Sequence, residues 1–255
     1  MIKKPLILVT NDDGIFAPGI YALWEAMKSI GEVFIVAPDT EKSAVGHAIT
    51  ISDPIRVQKI KRKNGFEGFA VNGTPADCVK IAVGALMDQK PDIVISGINS
   101  GANVGTSLMY SGTVSAATEG TILNIPSVAI SLDSLTTLDY RFATKVAATI
   151  VNSVMQNGLP KGTLLNVNVP AVTESLIKGY KITRQGELHY LEGFDRREDP
   201  RGRVYYWMTG QIIEPVGNAD TDSHALSKNW ISVTPVHYRL TNDEFVEVLK
   251  TWDLP

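Results

Sequence analysis

The chain reads as an α/β protein built on a doubly wound, mostly parallel sheet, and three features of the sequence predict it. Short apolar runs of strand type alternate with amphipathic helical stretches through the first two thirds. The runs are continuously apolar, as strands covered on both faces must be. Polar loops follow them, which is where ligands bind in sheets of this kind, at the carboxyl ends of the strands.

Leu6 to Thr10 is the first strand and ends in a polar turn. Ile20 to Ile30 then sets Leu23, Trp24, Met27 and Ile30 at helical spacing. Val33 to Ala37 is the next strand, closed by Pro38. After a polar loop, Ile49 to Ile60 and Phe69 to Val71 read as hairpin-like strands, and Thr74-Pro75-Ala76-Asp77 opens a helix with proline in its first turn. Asp92 to Ser96 is a third buried strand. A glycine-rich loop follows from Gly97 to Gly112, then a helical stretch from Thr113 to Leu123, a strand from Ser127 to Ser131, a long helix from about Asp139 to Asn157, and a strand from Leu164 to Val169.

Composition excludes several classes. Of 255 residues, 44% are hydrophobic, enough for a substantial core and too many for a disordered chain. Lys and Arg number 24 against 27 Asp and Glu, interspersed along the chain, so no basic stripe invites a nucleic-acid polymer. Cys78 is the single cysteine, which rules out an intramolecular disulfide and a Cys-based zinc cage and points to a reducing compartment. The apolar run Pro5 to Val9 is too short for the core of a signal peptide, and no run approaches the roughly 18 apolar residues of a membrane span. The expectation is a cytoplasmic protein without a membrane partner.

The character changes after Pro170. Charged residues crowd the stretch from Glu187 to Arg203, mixed with Tyr190 and Phe194 and followed by Tyr205-Tyr206-Trp207. A solvated face and a subunit interface rich in Arg and aromatics both account for it.

The segment Thr10-Asn11-Asp12-Asp13-Gly14 carries the strongest chemical signal. Two carboxylates about 4 Å apart repel by roughly 4 kcal/mol at an effective dielectric of about 20, so a fold that converges them calls for a cation. An ordinary polar turn with Asp as a cap is the competing reading. Ser43, in the loop after the second strand, and Asn99, after the third, emerge on the same edge. Asp12, Asp13, Ser43 and Asn99 together offer only hard oxygen donors, which suit Mg2+, Mn2+ or Ca2+. Ser111-Gly112-Thr113 starts a helix expected from about Val114, and its N–H groups and hydroxyls could receive a phosphate or act as a plain N-cap. A phosphate cradle opposite a divalent cation is the layout of a metal-assisted phosphoryl hydrolase. No P-loop, G-x-G-x-x-G, nucleophile elbow or H-E-x-x-H is present. His47 lies four residues after Ser43 and reads as solvent-facing, with reach to a leaving group as the alternative; Asp220-Thr221-Asp222 reads as a turn between strands.

Leu8 to Gly14, Ala37-Pro38-Asp39 with Ser43, Val71 to Cys78, Ser96 to Asn103 and Tyr110 to Ala117 together resemble the SurE family of nucleotidases, and Asp220 to Asp222 and Ile231 to Pro235 extend the likeness to nearly the whole chain. The resemblance implies a divalent-metal-dependent phosphatase acting on nucleoside 5'-monophosphates, with some members also cleaving 3'-nucleotides or short polyphosphate. It assigns one cation per subunit, Mg2+ or Mn2+, to Asp12, Asp13, Ser43 and Asn99, the four residues already selected by strand ends. It assigns phosphate contact to Asn103, Ser111, Gly112 and Thr113. The arm from Glu187 to Gly210 resembles the family's exchanging arm, which builds homodimers and homotetramers. Departures fall at Thr106-Ser107, where an acidic residue is frequent, and at Asn229, where glycine is common.

The expected organisation is a Rossmann-like catalytic core over residues 1–170 and a C-terminal segment over 171–255, with an oligomerisation arm at about 187–210 and a return strand. Asp12, Asp13, Asn99 and Asn103 form the expected catalytic group, with Asp13 orienting or deprotonating the attacking water. The alternative is a binding protein that senses a nucleotide or phosphate without turning it over.

Overall fold

Every residue of Leu6–Thr10 is buried, so its side chains are covered on both faces of the sheet. Ile7 and Val9 join one core with Ile20, Leu23, Met27, Ile95, Ile130 and Ile150; Leu8 joins a second with Val36, Val71, Val79, Val94 and Ala116. This alternation places β1 (Leu6–Thr10) at the centre of a sandwich of helix, sheet and helix. A computed structural model of the chain describes residues 4–136, 139–187, 189–213 and 218–254.

After β1 come α1 (Pro18–Met27), β2 (Glu32–Pro38), β3 (Val57–Lys61), β4 (Glu67–Val71), α2 (Pro75–Ile81), β5 (Ile93–Ser100), α3 (Gly112–Ile122), β6 (Ser127–Asp133), α4 (Arg141–Asn157) and β7 (Thr163–Pro170). They are followed by β8 (Tyr180–Ile182), β9 (His189–Glu198), β10 (Val204–Ile213), α5 (Asp222–Ser227), β11 (Ile231–His237) and α6 (Asp243–Leu249). The sheet has nine strands in the order β3-β4-β2-β1-β5-β6-β7-β11-β8. It is parallel except where β3 pairs with β4 and β11 with β7, which agrees with the doubly wound, mostly parallel fold expected. The strand order reverses around β1, and the loops after β1, β2 and β5 emerge at one edge.

Pro18 starts α1 and Pro75 starts α2, each where a missing N–H costs nothing. Thr74 and Asp77 form a reciprocal capping box on α2. α4 ends at Gly158, which takes φ 72°.

Two expectations need correction. The strand expected from Ile49 begins only at Val57, because Thr50 is drawn by its N–H and hydroxyl onto the Asp77 carboxylate and leaves no ladder to join. The Asp220-Thr221-Asp222 segment is a helix start, with Asp222 wholly buried and accepting the N–H groups of Gly105, Gly186 and Ser223. The return strand expected in the C-terminal segment is β11, which pairs with β7 and is followed in the sheet by β8. At Asn229 the backbone has φ 62°, the left-handed region that glycine favours and asparagine tolerates.

The hairpin β9–β10 pairs only with itself among the described residues. Leu188, within the expected arm, lies outside the described residues. Phe194, Tyr206, Trp207 and Met208 are exposed along the hairpin. Among the described residues no helix is long and apolar enough to cross a membrane.

Candidate metal and phosphate site

The chain leaves β1 at Asn11, and Gly14 turns it at φ 96°. Asn11 Nδ2 donates to the Gly14 carbonyl at 3.0 Å, and the Ile15 N–H to the Pro38 carbonyl at 2.9 Å, so this turn is tied to the end of β2. Two successive carboxylates are thereby held at the sheet edge. Asp12 is 4% exposed and Asp13 is half-buried.

Both acids resist ionisation. Burial, only partly offset by the Thr113 hydroxyl and backbone N–H groups, pushes the Asp12 carboxyl above its ordinary value. Burial and then the neighbouring Asp12 charge push Asp13 up to about 6, against a weaker downward pull from the Ser100 N–H at 3.3 Å. Glu41 raises both further. Negative charge on this pair is therefore disfavoured unless a cation offsets it.

The helix N-terminus of α3 closes over Asp12. Ser111 caps this helix by accepting the Val114 N–H at 3.2 Å, and the helix begins at Gly112, slightly before the expected Val114. Thr113 Oγ1 donates to Asp12 Oδ1 at 2.5 Å. A Cβ at Gly112 would lie 2.7 Å from Asp12 Cβ and 3.0 Å from Asp12 Oδ2, so only glycine lets the two segments approach this closely. The expected phosphate turn and the first carboxylate are therefore one contiguous surface.

Asn99 arrives by a different device. The pairing of β5 with β6 shifts between Ser96 and Asn99, where an irregular stretch containing a cis Gly97–Ile98 peptide interrupts the ladder. Asn99 Nδ2 then donates to the carbonyls of Gly101 at 2.7 Å and Ser100 at 3.3 Å, which leaves its Oδ1 for a ligand. Asn103 follows in the loop after β5 and is 8% exposed.

Ser43 is exposed, and its hydroxyl donates to Glu41 Oε1 at 2.7 Å. Its loop is held at the site by the Lys42 N–H, which donates to the Asp12 carbonyl at 2.8 Å. Further along, the loop is pinned by two carboxylates on the helices beneath. Asp77 receives Thr50, and Glu119, 2% exposed, lies 2.9 Å from His47 Nε2 and 2.7 Å from Lys80 Nζ. Burial alone would raise Glu119, but hydrogen bonds from His47 and Lys80 and the charge of Lys80 outweigh it and hold the carboxyl below its ordinary value. His47 is therefore a loop anchor, neither free in solvent nor turned to a leaving group.

Sequence reasoning overlooked Thr113 as the hydrogen-bond partner of Asp12, Glu119 as the anchor of His47, and the buried Asn166 and Asn168 of β7. The last pair had a visible signal, since two amides at alternate positions interrupt the apolar run from Leu164 to Val169.

Among the described residues no three His, Cys, Asp or Glu side chains gather around one point. Two carboxylates supplemented by neutral hydroxyl and amide oxygens are what this edge offers, a set suited to a hard divalent cation.

Comparisons with known proteins agree on one relationship. The family model described as Survival protein SurE matches residues 7–192. A protein named 5'-nucleotidase SurE from Syntrophobacter fumaroxidans is 50% identical over 248 residues, covering 97% of this chain and 99% of the relative. Another of that name from Natranaerobius thermophilus is 50% identical over 254 residues, 97% of this chain and 98% of the relative. A crystal structure of the SurE protein from Aquifex aeolicus superposes with a TM-score of 0.84 at 43% identity, covering 96% of this chain and 98% of that one.

Proposed function

The chain belongs to the SurE family, and from that premise we propose that it is a divalent-metal-dependent 5'-nucleotidase, hydrolysing nucleoside 5'-monophosphates to nucleoside and phosphate. The observation that carries this reading is buried Asp12, set directly against the glycine start of α3, with half-buried Asp13 beside it and both carboxyls resisting ionisation. Paired acids repel a bare phosphate, and a cation between them and the substrate reconciles the two.

Asp12, Asp13, Ser43 and Asn99 would hold one Mg2+ or Mn2+ per subunit; Ser43 would do so by turning its hydroxyl from Glu41. When bound, such a cation polarises phosphoryl oxygens and acidifies a coordinated water. The residues of the chain supply the rest. Thr113, through its hydrogen bond to Oδ1, holds the Asp12 carboxylate in one orientation. Asp13, restrained by the Ser100 N–H, orients the attacking water and receives its proton. The backbone at Gly112, the hydroxyl of Ser111 and the amide of Asn103 bind the phosphoryl oxygens as charge shifts toward the leaving group, while Thr113, whose one hydroxyl hydrogen is given to Asp12, serves the phosphate turn through that carboxylate.

Residues 1–170 form the catalytic core in this reading, and 171–255 a segment that extends the arm at about 187–210 and returns to the sheet through β11. The self-paired, aromatic-rich hairpin supports a homodimer or homotetramer built through the arm. Cys78, a buried free thiol, is consistent with a reducing cytoplasm.

The test is phosphate release from a panel of nucleoside 5'- and 3'-monophosphates and short polyphosphate, with Mn2+, with Mg2+ and with excess chelator. Chelator-sensitive release led by 5'-monophosphates is the expected result. Tight nucleotide binding without release, from folded protein with metal present, would make it a sensor instead.

A further inference from the structure

Asn103 lies in the loop between β5 and a turn of 3-10 helix at Gly105–Tyr110, with no regular element of its own to hold it. β7 nevertheless carries two fully buried amides, Asn166 and Asn168, and spends both on this residue. Asn168 Oδ1 accepts the Asn103 N–H at 2.8 Å, and Asn168 Nδ2 donates to the Asn103 carbonyl at 3.0 Å. Asn166 Nδ2 donates to that carbonyl as well, at 2.8 Å. On β6, Ser131 is in register with Asn168, and its Oγ accepts from Asn103 Nδ2 at 2.9 Å.

The peptide groups on both sides of the Asn103 Cα and the tip of its side chain are thus held by three side chains on two adjacent strands. One amide hydrogen of Asn103 is left over for a ligand. The arrangement is poor as a purely stabilising device, because Asn166 Oδ1 stays buried without a partner. An apolar residue at position 166 would avoid that cost.

We propose that Asn168, Asn166 and Ser131 are positioning residues for phosphoryl transfer, acting through Asn103 by fixing where its amide meets the phosphoryl group. The proposal rests on the assignment of Asn103 as a phosphate contact made above. A donor that must meet charge developing in the transition state gains from being held in place beforehand, and a misplacement of about 1 Å can cost on the order of 100-fold in rate.

The test compares Asn103→Ala, Asn168→Ala, Ser131→Ala and the double variant Asn103→Ala with Asn168→Ala. Each is assayed in the full-length protein with Mn2+ for kcat and KM on a nucleoside 5'-monophosphate, for inhibition by inorganic phosphate, and for thermal unfolding. Asn168→Ala is expected to lower kcat by about 10- to 100-fold and to weaken phosphate inhibition by about tenfold. The double variant is expected to turn over no more slowly than Asn103→Ala, since the two residues act through one contact. Ser131→Ala leaves the backbone clamp intact and is expected to move kcat and phosphate inhibition in the same direction by less, which keeps the test open if Asn168→Ala fails to fold. Folded Asn168→Ala or Ser131→Ala with both quantities within twofold of the parent, beside an impaired Asn103→Ala, would overturn the positioning role alone. Rate losses that multiply in the double variant would overturn it too, since Asn168 would then act by another route. An Asn103→Ala protein with unchanged kcat and phosphate inhibition would remove the phosphate-contact assignment itself, and the positioning role with it.

Discussion

Gly112→Ala is the smallest change that reaches the centre of the site. The added methyl would lie 2.7 Å from Asp12 Cβ, 3.0 Å from Asp12 Oδ2 and 3.1 Å from Pro75 Cγ. Carbon atoms are at ease at about 3.5–4.0 Å, so Asp12 and the start of α3 must separate by about 1 Å. The nearest atom is a Cβ, so the backbone has to give rather than the end of a flexible side chain. Overpacking of this kind costs about 1–3 kcal/mol, of which the better helix propensity of alanine returns at most about 1 kcal/mol. The expected net loss of about 1–2 kcal/mol lowers the melting temperature by about 2–8 °C in a chain of this size. The larger effect falls on catalysis, where displacing the carboxylate proposed as a metal ligand by about 1 Å should lower kcat/KM by about 100-fold, near 2.7 kcal/mol of transition-state stabilisation. Phosphate release with Mn2+ and thermal unfolding monitored by circular dichroism measure the two quantities. Gly84→Ala is the control, since a Cβ there meets nothing within 4 Å. Gly112→Ala with kcat/KM within threefold of the parent would refute the reasoning, because the approach of α3 to Asp12 would then not set the geometry of the reaction.

Three further expectations follow from the same contacts. Asp12→Asn should reduce metal-dependent turnover by at least about 1,000-fold while leaving the circular dichroism spectrum unchanged and raising the melting temperature in chelator, because it removes a charge that burial disfavours; full activity would exclude Asp12 from the metal site. The folded-state Glu119 carboxyl is held below its ordinary value of 4.5, so its stabilisation is complete above that pH and is lost as pH falls through the depressed value. Glu119→Gln should therefore flatten the acid side of a melting-temperature profile below about pH 4.5, and an unchanged slope there would show that His47 and Lys80 do not hold the carboxylate. Replacing Trp207 and Met208, both exposed on β10, with Ser should shift the protein to smaller assemblies in light scattering without unfolding the sheet, and an unaltered mass would exclude the hairpin as the contact.

Much of this protein could be read along the chain. Leu6 to Thr10 could be read as a buried strand because the four apolar residues Leu6 to Val9 offer no polar face. The long helix expected from about Asp139 to Asn157 is α4, which the structure starts at Arg141 and ends at the same Asn157. Asp12, Asp13, Ser43 and Asn99 could be named together because parallel strands deliver their carboxyl-end loops to a single edge, whatever the details of packing. The segment from Ile49 was harder. Its β-branched residues suggest a strand, but the competing attraction is a carboxylate on α2 that no local pattern reveals.

Local order, strand and helix identity and the edge where chemistry gathers are therefore properties of the amino-acid sequence itself, since they follow from periodicity and from residues adjacent in the chain. Only the tertiary structure decided how closely that edge is assembled. Thr113 meets Asp12 from 101 positions away, His47 meets Glu119 across 72 and Asn168 reaches Asn103 across 65. Such contacts depend on the register of neighbouring strands and on the seating of α3 against β1, quantities fixed by the packing of the whole core and invisible to any window of sequence.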